Sequence, residues 1–311
     1  MTYPNWQQIL AEGFPGSYLC DPDLPMIGPE TPTFMARPLA TTVGDLEGAD
    51  VVIIGSTYVA GAEEYAGVSR AEWMAAAQRV RQQSNRYHSG YVQDFDLDVF
   101  EHLRVVDYGD AELPVECLTE LTAENILKAQ ARVEDKVNDA LSVGAIPIVI
   151  GQNSPCASFA IAKPISESTD GKVGMVSLDT HWDSEPIDDI TNDPRIAGSG
   201  CWKRKTYEFL DNFDPKNLVE IGERGMLEPM EMVRDYLARG VNFYPMWKIR
   251  SKLGIDGLCE ELRHAYDGTD AVYVHFDMDV IGGEGPSPGD ILGELAEPMG
   301  MSGYEVLRIA N

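Results

Sequence analysis

The sequence predicts an α/β fold organised on a mostly parallel sheet. Three observations point there. Short apolar runs alternate with helix-period segments from residue 50 to residue 311. The runs end in Gly or Asp, and two end in acidic residues at alternate positions. The chain is also long enough, at 311 residues with 44% of them hydrophobic, to bury a sizeable core. Strands that alternate with helices need crossover connections, so the sheet is parallel and covered on both faces.

The elements follow in order. Residues 1–48 carry Pro4, Pro15, Pro22, Pro25, Pro29, Pro32 and Pro38. They read as an extended arm that needs a surface to lie on, a neighbouring subunit being one choice and a disordered tail the other. DVVIIG (50–55) is a buried strand ended by Gly55. Residues 69–84 have helical spacing, with Trp73, Ala76, Ala77 and Val80 on one face. LRVVDY (103–108) is a second strand. Residues 122–143 form a long amphipathic helix that Thr122 starts and Gly144 stops. AIPIVIG (145–151) is a third strand, and residues 157–162 look helical. VGMVSL (173–178) is a strand, followed by a polar loop over 184–200. Strands at 218–222 and 241–245 flank a helix at 229–238; a helix at 255–266 precedes the strand AVYVHF (271–276). A Gly/Pro loop at 281–298 leads to a last helix, opened by the capping box Ser302-Gly-Tyr-Glu. No internal repeat or low-complexity segment interrupts the pattern.

Charge and cysteine usage narrow the partners. Lys plus Arg is 24 and Asp plus Glu is 51, a net charge of −27. Such a surface repels nucleic acid and anionic membranes and mildly favours cationic small molecules. Cys20, Cys117, Cys156, Cys201 and Cys259 are scattered without CxxC spacing, which reads as reduced thiols in a cytoplasmic protein. The N-terminal residues lack the basic and apolar regions of a signal peptide. No apolar run approaches the ~20 residues that span a membrane.

The chemistry is carried by DTHWD (179–183) and DMD (277–279), each at the end of an apolar strand. Alternate residues of a strand share a face, so Asp179, His181 and Asp183 would project together, as would Asp277 and Asp279. If the strand ends are neighbours, four carboxylates and an imidazole meet. Carboxylates that close cannot all ionise without a positive charge between them, and a divalent cation is the simplest source. A single Asp-x-His-x-Asp is a weak signal, because acidic strand ends also occur as solvated loop starts. The pair is a stronger one. His275 reads as a packing residue.

VSLDTHWD (176–183) and VHFDMDV (274–280) resemble the two metal signatures of the ureohydrolases, the family of arginase and agmatinase. RQQSNRYHSGY (81–91), VVDYGD (105–110), IPIVIG (146–151), IGERGM (221–226) and Glu297-Pro298 before Gly300-Met301-Ser302 are similar to further stretches of that family. The resemblance covers residues 50–311. It implies one domain over 49–311 with a three-layer α/β/α fold, a binuclear Mn or Ni centre, trimers or hexamers, and hydrolysis of a guanidinium-type C–N bond. By that resemblance Asp179 and Asp277 would bridge two metals, Asp183 would bind one, and His181 and Asp279 the other. Glu297 would be the carboxylate that faces a substrate guanidinium. Two divalent ions would activate a shared water for attack on the central carbon.

Departures accompany the matches. The family's Gly-Gly-Asp-His-Ser motif falls on Gly151-Gln152-Asn153-Ser154-Pro155, so Ser154 stands where a metal-binding His is expected. The family's Ser-His-Gly falls on Gly198-Ser199-Gly200, and its Asp-Pro after the second signature on Gly282-Gly283. Losing a ligand leaves one subsite with carboxylates alone; the other could hold one ion, or none. Among ureohydrolases, the pattern is similar to the degenerate partner in heteromeric members such as a Ni-dependent metformin hydrolase. Three readings stay open: a non-catalytic subunit beside an active ureohydrolase paralogue, a divergent active agmatinase-like amidinohydrolase, and a non-enzymatic ligand-binding or regulatory protein.

Overall fold

The computed structural model describes residues 24–60, 64–65, 68–152, 155–225, 228–282 and 299–311. Two parallel sheets organise it. The first has the order β2-β1-β3, from β1 (Val51–Gly55), β2 (Val105–Asp110) and β3 (Ile146–Ile150). The second has the order β6-β5-β4-β7, from β4 (Val173–Leu178), β5 (Phe213–Ile221), β6 (Asn242–Tyr244) and β7 (Ala271–Phe276). Every pairing in both sheets is parallel. The α/β class is as the sequence predicts and each predicted strand is present, with β5 starting at Phe213 rather than at 218 and the sheet in two parts. β3 and β7, each at an edge of its part, expose apolar side chains: Ile146, Ile148, Val274 and Phe276.

Helices pack on both sheets. α1 (Ala76–Ser84) precedes β2; α2 (Ala123–Ser142) and α3 (Phe159–Ser168) flank β3. α4 (Trp202–Phe209) joins β4 to β5, α5 (Met230–Ala238) joins β5 to β6, and α6 (Gly254–Glu261) precedes β7. α7 (Gly303–Ala310) closes the described chain. The Thr122 hydroxyl accepts the Asn125 N–H at the start of α2, and Gly144, at φ 78°, follows its end. Between those signals Ile126, Ala129, Val133, Val137 and Ala140 are buried at helical spacing. Their small and branched side chains let the helix lie close on β1 and β3.

β4 is buried over its whole length, as the continuous apolar run VGMVSL requires between two helical layers. Gly174 is a spatial necessity there: a Cβ would sit 1.7 Å from the Ala265 carbonyl oxygen of the neighbouring helical turn. β4 is also the strand at which the chain reverses direction. From β4 the chain winds outward through β5 and β6, then returns to place β7 on the other side. In such sheets the crevice at the carboxyl ends of the reversing strands is the binding position.

Two local expectations change. The helix predicted over 69–84 is two, Arg70–Met74 and α1, with a break at Ala75. Its buried face is Ala77, Arg81 and Ser84, while Val80 is exposed. The cause is Arg81, which is fully buried. Its Nε and Nη2 meet the two carboxylate oxygens of Asp107 at 2.8 and 2.9 Å, and Nη1 meets Asp110 at 2.5 Å. The predicted helix over 255–266 is likewise α6 followed by a separate turn, Arg263–Tyr266.

The described part of the Pro-rich arm lies on its own chain. Asp107 accepts the Phe34 N–H through its side chain and the Ala40 N–H through its carbonyl, and donates its own N–H to Pro38. Cys117, Cys156, Cys201 and Cys259 are free. Among the described residues no helix is long and apolar enough to cross a membrane.

Arg81 thus ties the arm, α1 and β2 together. Arg81→Met leaves Asp107 buried without its counter-charge, which costs about 3–5 kcal/mol. The expected outcome is a folded chain with a markedly lower midpoint in denaturant; an unchanged midpoint would show that the fork is dispensable.

Candidate metal centre

The parallel register of β4 and β7 sets the site. Ser177 pairs with His275 and Leu178 with Phe276, so Asp179 and Asp277 follow side by side at adjacent strand ends. The Asp277 N–H donates to the Leu178 carbonyl at 2.8 Å, and the Asp179 N–H to Ile221 at 3.0 Å. Beyond those residues neither chain remains extended. Asp277 caps a short turn, Met278–Val280, and its carboxylate accepts the Asp279 N–H at 3.0 Å. Arg224 holds that turn by donating to the Asp279 carbonyl at 2.8 Å.

The turn carries Asp279 over to the other strand end. Its Oδ2 lies 2.9 Å from His181 Nδ1, and its Oδ1 accepts the Thr180 N–H at 3.1 Å. Asp179 Oδ1 accepts the His181 N–H at 2.8 Å. One donor atom each from Asp179, His181 and Asp279 falls within a 4.8 Å cluster, the one such set among the described residues. Two carboxylate oxygens and an imidazole nitrogen suit a single Mn, Ni or Zn ion.

The other predicted ligands are nearby but differently engaged. Asp183 takes a left-handed backbone, φ 45°, which breaks the strand alternation after His181. Its Oδ2 accepts the Trp202 indole N–H at 2.7 Å. Asp277 stays beside Asp179 without joining the three-donor set. His275 is buried with its ring centroid 4.5 Å from that of Trp202, the packing role its position suggested. Ser154 and Glu297 lie outside the described residues.

Three residues that the sequence reading passed over complete the centre. Lys203, in the first turn of α4, is fully buried with its ammonium 3.1 Å from Asp179 Oδ2. The same Nζ donates to the His181 carbonyl at 2.9 Å and to Glu220 in β5. Glu223, just beyond β5, is a further buried carboxylate at the same end of the sheet.

The electrostatics follow from one ammonium among many carboxylates. Burial pushes Asp179 up, but Lys203, His275 and the His181 N–H outweigh it and hold the carboxyl below its ordinary value. Burial pushes Asp277 far up, helped by Asp179 and Asp279. Burial likewise raises Asp279, against the hydrogen bond from His181. Burial would lower His181, yet the Asp279 carboxylate raises it to about 9. Glu220 is pushed up to about 8 by burial, against the pull of Lys203. Lys203 stays charged, because Asp179 and Glu220 together exceed the cost of its burial. The centre therefore favours the ionised form of Asp179 and raises the proton affinity of the carboxylates around it.

A two-ion centre does not fit these residues as well as a single ion does. Paired ions sit ~3.5–4 Å apart and share bridging carboxylates. Asp179 would give one oxygen to each ion, and its Oδ2 already faces the Lys203 ammonium. Asp183, a ligand such an ion would need, is held by Trp202.

Comparison with known proteins gives the family and supports the fold. The model of the arginase family matches residues 49–310. Formimidoylglutamase of Halobacterium salinarum is 29% identical over 196 residues, 60% of this chain and 56% of the relative. The chain thus spans little more than half the length of the curated relatives it matches. Proclavaminate amidino hydrolase of Streptomyces clavuligerus superposes with a TM-score of 0.69 at 23% identity, over 93% of this chain and 85% of that one. A Trypanosoma cruzi formiminoglutamase solved with Mn2+ superposes with a TM-score of 0.64 at 21% identity, over 90% and 84%. The parallel sheets, the paired aspartate-bearing strand ends and the family match over 49–310 lead to one conclusion: this chain belongs to the arginase family.

Proposed function

We propose that this chain is the non-catalytic, structural subunit of a metal-dependent hydrolase of the arginase family. Its partner is an active ureohydrolase paralogue in a trimeric or hexameric hetero-oligomer that uses Ni or Mn. The complex acts on a guanidine- or biguanide-type C–N bond, with metformin, cleaved to guanylurea and dimethylamine, as the first biguanide to assay. The observation that carries the reading is the donor count: among the described residues, three donor atoms converge where a two-ion centre needs more.

The substrate class rests on two supports. A structural relative is an amidino hydrolase by name, and guanidines and biguanides share the planar, cationic carbon of an amidine. A net charge of −27 favours cationic small molecules near the surface. One divalent ion at the three donors would polarise water without the two-ion clamp. The chain's own groups would then act as holders: His181 and Asp279 brace each other, and Arg224 fixes the turn that presents Asp279.

The test is purification of this chain alone and with the arginase-family chain that accompanies it, followed by assays for urea and amine release. Turnover by the pair and none by this chain alone is expected. Turnover by this chain alone would favour the divergent amidinohydrolase reading instead. In the pair, Asp277→Asn in this chain should leave turnover within about threefold; a loss of ~100-fold with assembly intact would make this chain catalytic. His181→Ala removes one of three donors and should weaken Mn2+ binding to this chain by about 100-fold in a calorimetric titration. Unchanged affinity would place the ion elsewhere.

A further inference from the structure

We propose that Lys203 is a built-in cation that takes the place of one of the two divalent ions, so that the carboxylate cluster folds without that ion and accepts at most one. The inference holds whether or not the chain turns over a substrate, so it stands apart from the subunit reading.

The geometry is that of a coordinated ammonium rather than a surface lysine reaching inward. An ammonium has three hydrogens. Here Nζ donates to the His181 carbonyl at 2.9 Å and to a Glu220 carboxylate oxygen, and Asp179 Oδ2 lies 3.1 Å away as an ion-pair partner that takes no hydrogen bond. Lys203, Asp179 and Glu220 are each fully buried. A lysine is almost never found that deep unless paired. Two of these three partners belong to DTHWD itself, the segment that carries the predicted ligands.

The neighbouring residue completes the substitution. Trp202 precedes Lys203 on α4, and its indole N–H donates to Asp183 Oδ2 at 2.7 Å. One helical turn thus engages both carboxylates of DTHWD, Asp179 through an ammonium and Asp183 through an indole. A cation that shares Asp179 Oδ2 would meet the ammonium at 3.1 Å from that oxygen. The opposite side of Asp179 stays with His181 and Asp279 and keeps its three donors. A divalent ion compensates Asp179 only while bound; Lys203 does so permanently.

Glu220 adds an independent sign that the pair belongs together. It interrupts an otherwise apolar, buried strand segment, Leu218–Ile221, directly beneath the ammonium. A carboxylate there has no use in a core unless a cation accompanies it.

The experiment combines metal stoichiometry with thermal stability. Wild-type chain and Lys203→Met are stripped with EDTA, incubated with Mn2+, desalted and measured by mass spectrometry for metal, and by calorimetry for Tm. Wild type is expected to hold no more than one Mn2+ per chain. Lys203→Met leaves Asp179 and Glu220 without a counter-charge, so its metal-free Tm should fall by about 8 °C or more. Mn2+ should then raise the Tm of the variant more than that of wild type, because the ion now supplies the missing charge. Two ions per wild-type chain would overturn the proposal. So would an unchanged Tm in the variant, or a loss that Mn2+ does not recover in part. Should Lys203→Met fail to fold, Lys203→Met with Glu220→Gln removes one of the stranded carboxylates, and the same Mn2+ response is read on it. Should neither variant fold, the wild-type stoichiometry decides alone, with one ion or none supporting the proposal.

Discussion

Parallel pairing of β4 with β7 is the constraint from which the site follows. In-register pairing from Val173 with Ala271 to Leu178 with Phe276 leaves no freedom in where Asp179 and Asp277 stand. Two aspartates at adjacent strand ends, with Asp279 folded back against them, would repel one another in a medium that screens poorly. The structure relieves this in three ways. Asp277 and Asp279 are pushed toward their protonated forms, His181 is pushed toward its charged form, and Lys203 faces the one carboxylate held low. Each is a response to the same register.

The connection after β4 explains why a lysine reaches that point. α4 begins directly over the end of β4, because its first turn is bonded to DTHWD: the Lys203 N–H donates to the Asp183 carbonyl, and the Trp202 side chain reaches the same residue's carboxylate. Trp202 spends its bulk on His275 and Tyr273 of β7, and the longer Lys203 passes beside it to the strand ends. The left-handed backbone of Asp183 belongs to the same arrangement, since it turns the chain out of the strand and into the loop that returns as α4.

How much of this could be read in the sequence depended on the type of signal. Strands announced themselves as uninterrupted apolar runs; VGMVSL and AVYVHF appear with the predicted bounds. The long helix was legible from Thr122 and Gly144 with a periodic face between them. Asp179 and His181 were legible as candidate donors from their alternate spacing in DTHWD, and Asp279 from its place in DMD; that the three converge comes from the pairing of β4 with β7. Asp183 was misplaced on the strand face, since alternation stops where the backbone turns left-handed, and no residue type forces that at an Asp. Lys203 and Glu220 were passed over because charged residues read as solvated. Their signal was available as a pair: Glu220 sits inside a buried apolar strand, and Lys203 lies between Trp202 and Thr206, both buried, on a helix. Arg81 hid in the same manner, as a cation on a face expected to be apolar. In each case the partner is 17 to 29 residues away, so only the fold shows the pairing.

The buried cations of the two sheets serve different ends. Arg81 meets Asp107 with a two-pronged fork, and that pair secures the arm and α1 against β2. A fork of fixed geometry suits a joint, because it sets orientation as well as charge. Lys203 is a point charge on a flexible stem, hydrogen-bonded to the His181 carbonyl and Glu220 with the Asp179 carboxylate 3.1 Å away. That is how a small ion is held, with donors arranged around it rather than matched edge to edge. The residue types therefore separate the two roles: guanidinium where the fold needs an angle, and ammonium where the cluster at the strand ends needs only a positive charge.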